Sequence, residues 1–251
     1  MAFIQVGFFS PVLQKQVSLY ALVPEGRRGP FPVLYLLHGL SDDHSIWQRH
    51  TRIEHYVRGL PLIVVMPDGF RGFYTDNHAG PAYGRYMLED VLGFVERTFP
   101  ALKKRAGRCV GGLSMGGYGS VKLAFSHPEL FVSAHGHSSA VQPWKVAGAD
   151  EWVAERRRIF GPRPTGGAHD LLALAARLKR SGQPLPKLRL DCGDKDFLLA
   201  QNRRLHAHLE TLKIPHEYAE FPGDHNWDFW NTHIQEALAF HCRALKISAG
   251  S

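Results

Sequence analysis

The residues that most directly imply chemistry are Gly112-Leu113-Ser114-Met115-Gly116, a serine held between glycines. An apolar run precedes them and an amphipathic stretch, Ser120–Phe125, follows. That order predicts strand, sharp turn, helix. A serine at such a turn takes a strained backbone conformation and lifts its hydroxyl above the sheet. The glycines are required because a Cβ at either position meets the neighbouring strand or helix. The following helix points its unpaired N–H groups at the serine, where they favour negative charge.

A serine hydroxyl is a weak nucleophile and needs a base. Of 15 histidines, His225 follows the last predicted strand directly, in Gly223-Asp224-His225-Asn226-Trp227. The acid that orients this base belongs between the two in chain order. Cys192-Gly193-Asp194-Lys195-Asp196 and the preceding Asp191 offer three candidates. Asp196, at the far end of the loop beside Phe197, is the choice, with Asp194 the alternative. An oxyanion needs two N–H donors. Met115, after the nucleophile, supplies one. Leu40, in His38-Gly39-Leu40 after the first buried strand, supplies the other, with His38 read as a side chain that fixes the loop.

The elements that position these residues are legible as alternating patterns. Phe3–Phe9 and Gln16–Val23 predict an antiparallel entry hairpin. Val33–Leu37 and Leu62–Met66 are continuous apolar runs, as strands buried on both faces should be. Tyr83–Phe99 has helical spacing. Phe131–His135, Lys187–Cys192 and His216–Phe221 read as further strands, and Leu198–Leu212 and Trp227–Lys246 as helices. Residues 141–186 leave the alternation and predict a helical, cap-like insertion carrying Trp144 and Trp152. One α/β domain spanning 1–251 follows, with a mainly parallel sheet covered on both faces. Active residues in such sheets lie beyond the strands' C-terminal ends.

Composition narrows the rest. Hydrophobic residues make up 44% and charged residues 21%, as in an ordinary globular chain. The net charge is +7, but no basic block is long enough for a nucleic-acid footprint. Three widely spaced cysteines, Cys109, Cys192 and Cys242, predict neither a disulfide framework nor a zinc motif. His206 and His208 lie two apart on a helix and cannot share a face. His135 and His137 share a strand face, but no third ligand is near in sequence. No metal and no cofactor are expected. Without a signal-like segment or a membrane-length apolar run, the expectation is a cytoplasmic protein. A homo-oligomer is compatible with all of this.

Leu36-Leu37-His38-Gly39-Leu40, Met66-Pro67-Asp68-Gly69, Phe73-Tyr74-Thr75, Gly112–Gly119, Cys192–Phe197 and Gly223–Trp230 resemble, in order, the esterase D family of α/β-hydrolases. The resemblance implies the α/β-hydrolase fold, with Ser114, Asp196 and His225 as the triad and Leu40 and Met115 as the oxyanion donors. It further implies that Phe73 and Tyr74 line an acyl pocket near Trp47. The expected activity is hydrolysis of short acyl esters of small molecules, with Trp144 and Trp152 narrowing the pocket. Thioester hydrolysis, as in S-formylglutathione hydrolases, is the alternative.

Overall fold

The computed structural model describes residues 1–248. Strands β1 (Ala2–Ser10) and β2 (Lys15–Val23) form the entry hairpin, paired from Ala2 opposite Val23 to Ser10 opposite Lys15. Six more strands follow: β3 (Val33–Leu37), β4 (Ile63–Pro67), β5 (Arg108–Leu113), β6 (Ser133–His137), β7 (Lys187–Gly193) and β8 (Glu217–Phe221). Together they make one eight-stranded sheet in the order β1-β2-β4-β3-β5-β6-β7-β8. The pairings of β1 with β2 and of β2 with β4 are antiparallel; all others are parallel. Every residue of β3 and β4 is buried, as their unbroken apolar runs demand.

Helices cover both faces. Short α1 (Ile46–His50) and α2 (Ile53–Tyr56) share one face with the closing helix α9 (Trp227–Leu245), whose Phe229, Trp230, Ile234 and Leu238 pack under Leu34 and Leu36. The helical run from Tyr83 to Thr98 covers the other. It comprises α3 (Tyr83–Arg85), a π-helical segment (Tyr86–Val91) and α4 (Leu92–Thr98). With it lie α5 (Met115–Ser126), α6 (Asp150–Phe160), α7 (Leu171–Ser181) and α8 (Leu199–Thr211).

Two boundaries differ from the sequence reading by more than one residue. Strand β6 runs two residues later than Phe131–His135, because its ladder with β5 pairs Cys109 with Ser133 and Leu113 with His137. Buried histidines at its end do not look like strand residues, and the apolar Phe131-Val132 drew the boundary early. The segment 141–186 also divides. Its α7 buries Leu171, Leu174, Ala175 and Leu178 and packs along α5, so it is the crossover helix between β6 and β7. The excursion above the sheet is therefore shorter, and α6 is its main element.

Candidate active site

Ser114 sits between β5 and α5 with φ 53° and ψ −112°, a conformation costly for a residue bearing a side chain. Its backbone is tied down: its N–H donates to the His137 carbonyl at 2.9 Å, and its carbonyl accepts from Tyr118 and Ala140. A Cβ on Gly112 would lie 2.5 Å from the Leu37 carbonyl oxygen, and one on Gly116 2.6 Å from that of His38. Both glycines are fixed by backbone oxygens that cannot move aside.

The loop after β8 brings His225 above β5. Its Nε2 lies 3.1 Å from Ser114 Oγ, and its Nδ1 lies 2.8 Å from Asp196 Oδ2. The Asp196 carboxylate is fully buried and also accepts from the Leu198 N–H at 2.8 Å. Burial alone would raise its pKa. The hydrogen bond and charge of His225, with bonds from Ser138 and the Leu198 N–H, outweigh burial and hold the carboxyl below its ordinary value. The Trp230 ring, perpendicular to the imidazole, and the tilted Phe197 ring lie against it, 4.9 and 4.5 Å away between centroids.

The three aspartates that sequence left in contention do three different things. Asp196 faces His225. Asp194 Oδ1 accepts from the Gly223 N–H at 3.0 Å and so tethers the loop that carries His225. Asp191 points into the sheet and meets His137 Nδ1 at 2.5 Å. Their separation follows from strand geometry: Asp191 lies within β7, whereas the other two lie in the loop beyond it.

Met115 follows Ser114 directly, and a Cβ on Gly39, the residue before Leu40, would lie 3.9 Å from Ser114 Cβ. Neither the Leu40 nor the Met115 N–H donates a hydrogen bond among the described residues. Met115 opens α5, whose first N–H groups have no intrahelical partner. The Leu40 loop is held from behind. His38 Nδ1 donates to the Gly39 carbonyl at 2.8 Å, and its Nε2 accepts from the Gly69 N–H at 2.8 Å. These two bonds fix one neutral tautomer and staple the loop after β3 to the loop after β4. The Tyr74 hydroxyl accepts from the His38 N–H at 2.9 Å and donates to the His38 carbonyl at 3.2 Å. A Cβ on Gly39 would come 2.7 Å from the Leu113 Cδ1.

The aromatic residues expected to contact substrate are placed differently from one another. Trp47 is 1% exposed, donates to the Leu37 carbonyl and packs edge-on against Trp227; it lies beneath the site as support. Tyr74 is fully buried and serves the Leu40 loop as described. Phe73 is buried among Tyr118, Phe160 and Trp152 and joins the sheet domain to α6. Trp144 and Trp152 are half exposed; the Trp144 ring meets Phe160, and its Nε1 donates to Thr165 Oγ1.

Sequence reasoning missed Arg71. Its guanidinium grips both oxygens of Glu155 on α6 at 2.6 Å and donates to Ser41 Oγ at 2.6 Å. It therefore clamps the excursion to the residue after Leu40. The signal was weak, since the partners are 84 and 30 positions away. It also missed that His135 and His137 do find partners in space. Asp191 meets His137, while His135 Nδ1 meets His241 Nε2 at 2.7 Å, and Ser133 Oγ bonds His241 Nδ1 at 2.8 Å.

Comparison with known proteins finds similarity along nearly the whole chain. The model of the family described as "Putative esterase" matches residues 10–241. An acetyl esterase of Caldicellulosiruptor saccharolyticus is 32% identical over 95% of this chain and 97% of its own length. The fluorophosphonate-binding serine hydrolase FphF of Staphylococcus aureus superposes with TM-score 0.88, at 29% identity over 95% of this chain and 97% of that one. An S-formylglutathione hydrolase, FrmB, from the same organism gives 0.85 at 30% identity, covering 95% and 98%.

Proposed function

Since the chain belongs to the esterase family and is a serine hydrolase of the α/β-hydrolase fold, we propose that it hydrolyses short-chain acyl esters through an acyl-enzyme on Ser114. The observation that carries this reading is the hydrogen-bonded chain from Asp196 through His225 to Ser114.

In the first half-reaction Ser114 Oγ attacks the ester carbonyl carbon while His225 Nε2 takes the hydroxyl proton. The carbonyl oxygen becomes an oxyanion and is met by the N–H groups of Leu40 and Met115. Asp196 keeps the His225 proton on Nδ1 and stabilises the imidazolium. The C–O bond to the alcohol then breaks, and His225 gives its proton to the leaving oxygen. In the second half-reaction water replaces the alcohol. His225 takes a proton from it, the hydroxide oxygen bonds to the acyl carbon, and the Ser114 ester bond breaks. The proton returns to Oγ, releasing the acid.

Support for a short acyl group comes from the acetyl esterase relative. Residence in the cytoplasm fits three cysteines that remain free thiols. A series of p-nitrophenyl esters tests the substrate class. Rates should peak at acetate to butyrate, whereas a maximum at long chains removes the proposal. The relation to FrmB favours one second reading, thioester hydrolysis. Faster turnover of S-formylglutathione than of a butyrate ester would select it.

A further inference from the structure

His206 and His216 meet nitrogen to nitrogen at the sheet's β8 edge, away from Ser114. His206 lies within α8 and His216 just before β8, and His206 Nδ1 is 2.8 Å from His216 Nε2. The second nitrogen of His216 is already engaged, since its Nδ1 donates to the Ile214 carbonyl at 2.8 Å. That bond fixes the tautomer and leaves Nε2 as a lone pair. The His216 side chain is 1% exposed, so this lone pair is buried. Its only hydrogen-bonding partner among the described residues is the His206 ring. The His206 ring is held in turn by Tyr218, stacked at 4.2 Å and 7°.

A carboxylate completes the group. Glu210 follows His206 by one helical turn, on the same face of α8. Its Oε1 is 3.8 Å from His216 Nδ1, and with 65% of the side chain exposed it can rotate toward the paired nitrogens. Ligand atoms of the three residues lie within 4.8 Å of one another.

We propose that His206 Nδ1, His216 Nε2 and a Glu210 oxygen form a site for a borderline divalent transition metal, Zn²⁺ above all. Two imidazoles and a carboxylate with water in the fourth position suit that ion. Nitrogens about 2.05 Å from a tetrahedral Zn²⁺ stand about 3.3 Å apart, so the rings need separate by only about half an ångström. The Ile214 carbonyl is the outer partner that orients a ligating imidazole, and Tyr218 fixes the plane of the other. The ion takes the place of the proton that His206 Nδ1 shares with His216, and that proton moves to His206 Nε2; binding weakens as pH falls because a protonated imidazole cannot ligate. Bound there, it joins the body of α8 to the start of β8 and stabilises the native state alone. The expectation of no metal rested on spacing along the chain, which rightly separates His206 from His208 but cannot see a partner that the fold brings in from before β8.

The test uses the whole chain stripped with a chelator. Zn²⁺ is titrated by calorimetry, Co²⁺ is followed by its visible absorption, and the melting temperature is read with and without Zn²⁺. Wild type should bind one tight equivalent of Zn²⁺, show tetrahedral Co²⁺ bands and melt higher with metal. His206→Ala should lose all three signals, and Glu210→Gln should bind more weakly. Both should keep the metal-free melting temperature within a few degrees and the metal-free rate of ester hydrolysis. Absence of a tight equivalent in wild type overturns the proposal. So does an equivalent that survives in His206→Ala, including one that inhibits hydrolysis and so belongs at His225.

Discussion

Nε2 of His225 lies 3.1 Å from Oγ of Ser114, although 111 positions separate the two residues in the chain. The contact exists only because β5 and β8 run parallel and both end on the same side of the sheet. Their following loops therefore open toward each other. The behaviour of the neighbouring side chains follows from this contact.

The three aspartates near the end of β7 should separate cleanly by assay. Asp196→Asn should cut kcat by about 10⁴, because the amide favours the wrong imidazole tautomer. Asp194→Asn should cost less than about tenfold, since it loosens a tether to Gly223 without touching the ring. Asp191→Asn should leave turnover near wild type and lower the melting temperature, because it strips the charge from a buried bond to His137. Steady-state kinetics and thermal melts on the three variants check this. A large kcat loss in Asp194→Asn with little in Asp196→Asn would reverse the assignment.

Much of this was readable from sequence. The glycines around Ser114, the apolar runs of β3 and β4, and the placement of His225 after the last strand each reflect a local rule. A continuous apolar run fixes a buried strand, and a strained turn demands glycine. The roles of Trp47 and Tyr74 were not readable, because a buried aromatic beneath a site and one lining it have the same residue type. Nor was the Arg71 clamp, whose partners depend on how the excursion between β6 and β7 folds back. The two-residue shift of β6 has a similar origin. His135 and His137 are buried through contacts with His241 and Asp191 that belong to other elements.

The Arg71 clamp should matter for substrate more than for the nucleophile. Arg71→Ala frees both α6 and the Ser41 side of the Leu40 loop. We expect kcat/KM for ester hydrolysis to fall about tenfold, about 1.4 kcal/mol of transition-state stabilisation. Glu155→Gln should have a smaller effect, and the double variant should fall short of the sum. Additive losses in a double-mutant cycle would show that the two residues act separately.

Acid should destabilise the fold earlier than carboxylate titration would. His135 and His241 are buried, and burial, then the nearby His137 and Arg189, lower the pKa of both; that of His241 falls to about 3. The unfolded chain takes up protons at these rings near pH 6.5, while the native protein does not. Stability is therefore undiminished above about pH 6.5 and declines as pH falls toward 3, by about 1.4 kcal/mol per pH unit for each ring. Urea melts at pH 7 and pH 5 measure the slope. His241→Asn should make it shallower, and a wild-type slope of zero over this window would refute the account.

Gly116→Ala probes the turn itself. Its new Cβ would press on the His38 carbonyl oxygen, part of the backbone leading to Leu40. We expect destabilisation of about 3 kcal/mol or more, or a folded protein without esterase activity. Wild-type stability together with wild-type rates would show that the turn is looser than the geometry requires.

The most direct measurement is covalent labelling with a fluorophosphonate, read by mass spectrometry of the digested protein. One adduct per chain is expected, on the peptide bearing Ser114, with labelling abolished in Ser114→Ala and slowed by orders of magnitude in His225→Ala. An adduct elsewhere, or unchanged labelling of Ser114 in the His225 variant, would contradict nucleophilic catalysis by this serine and histidine.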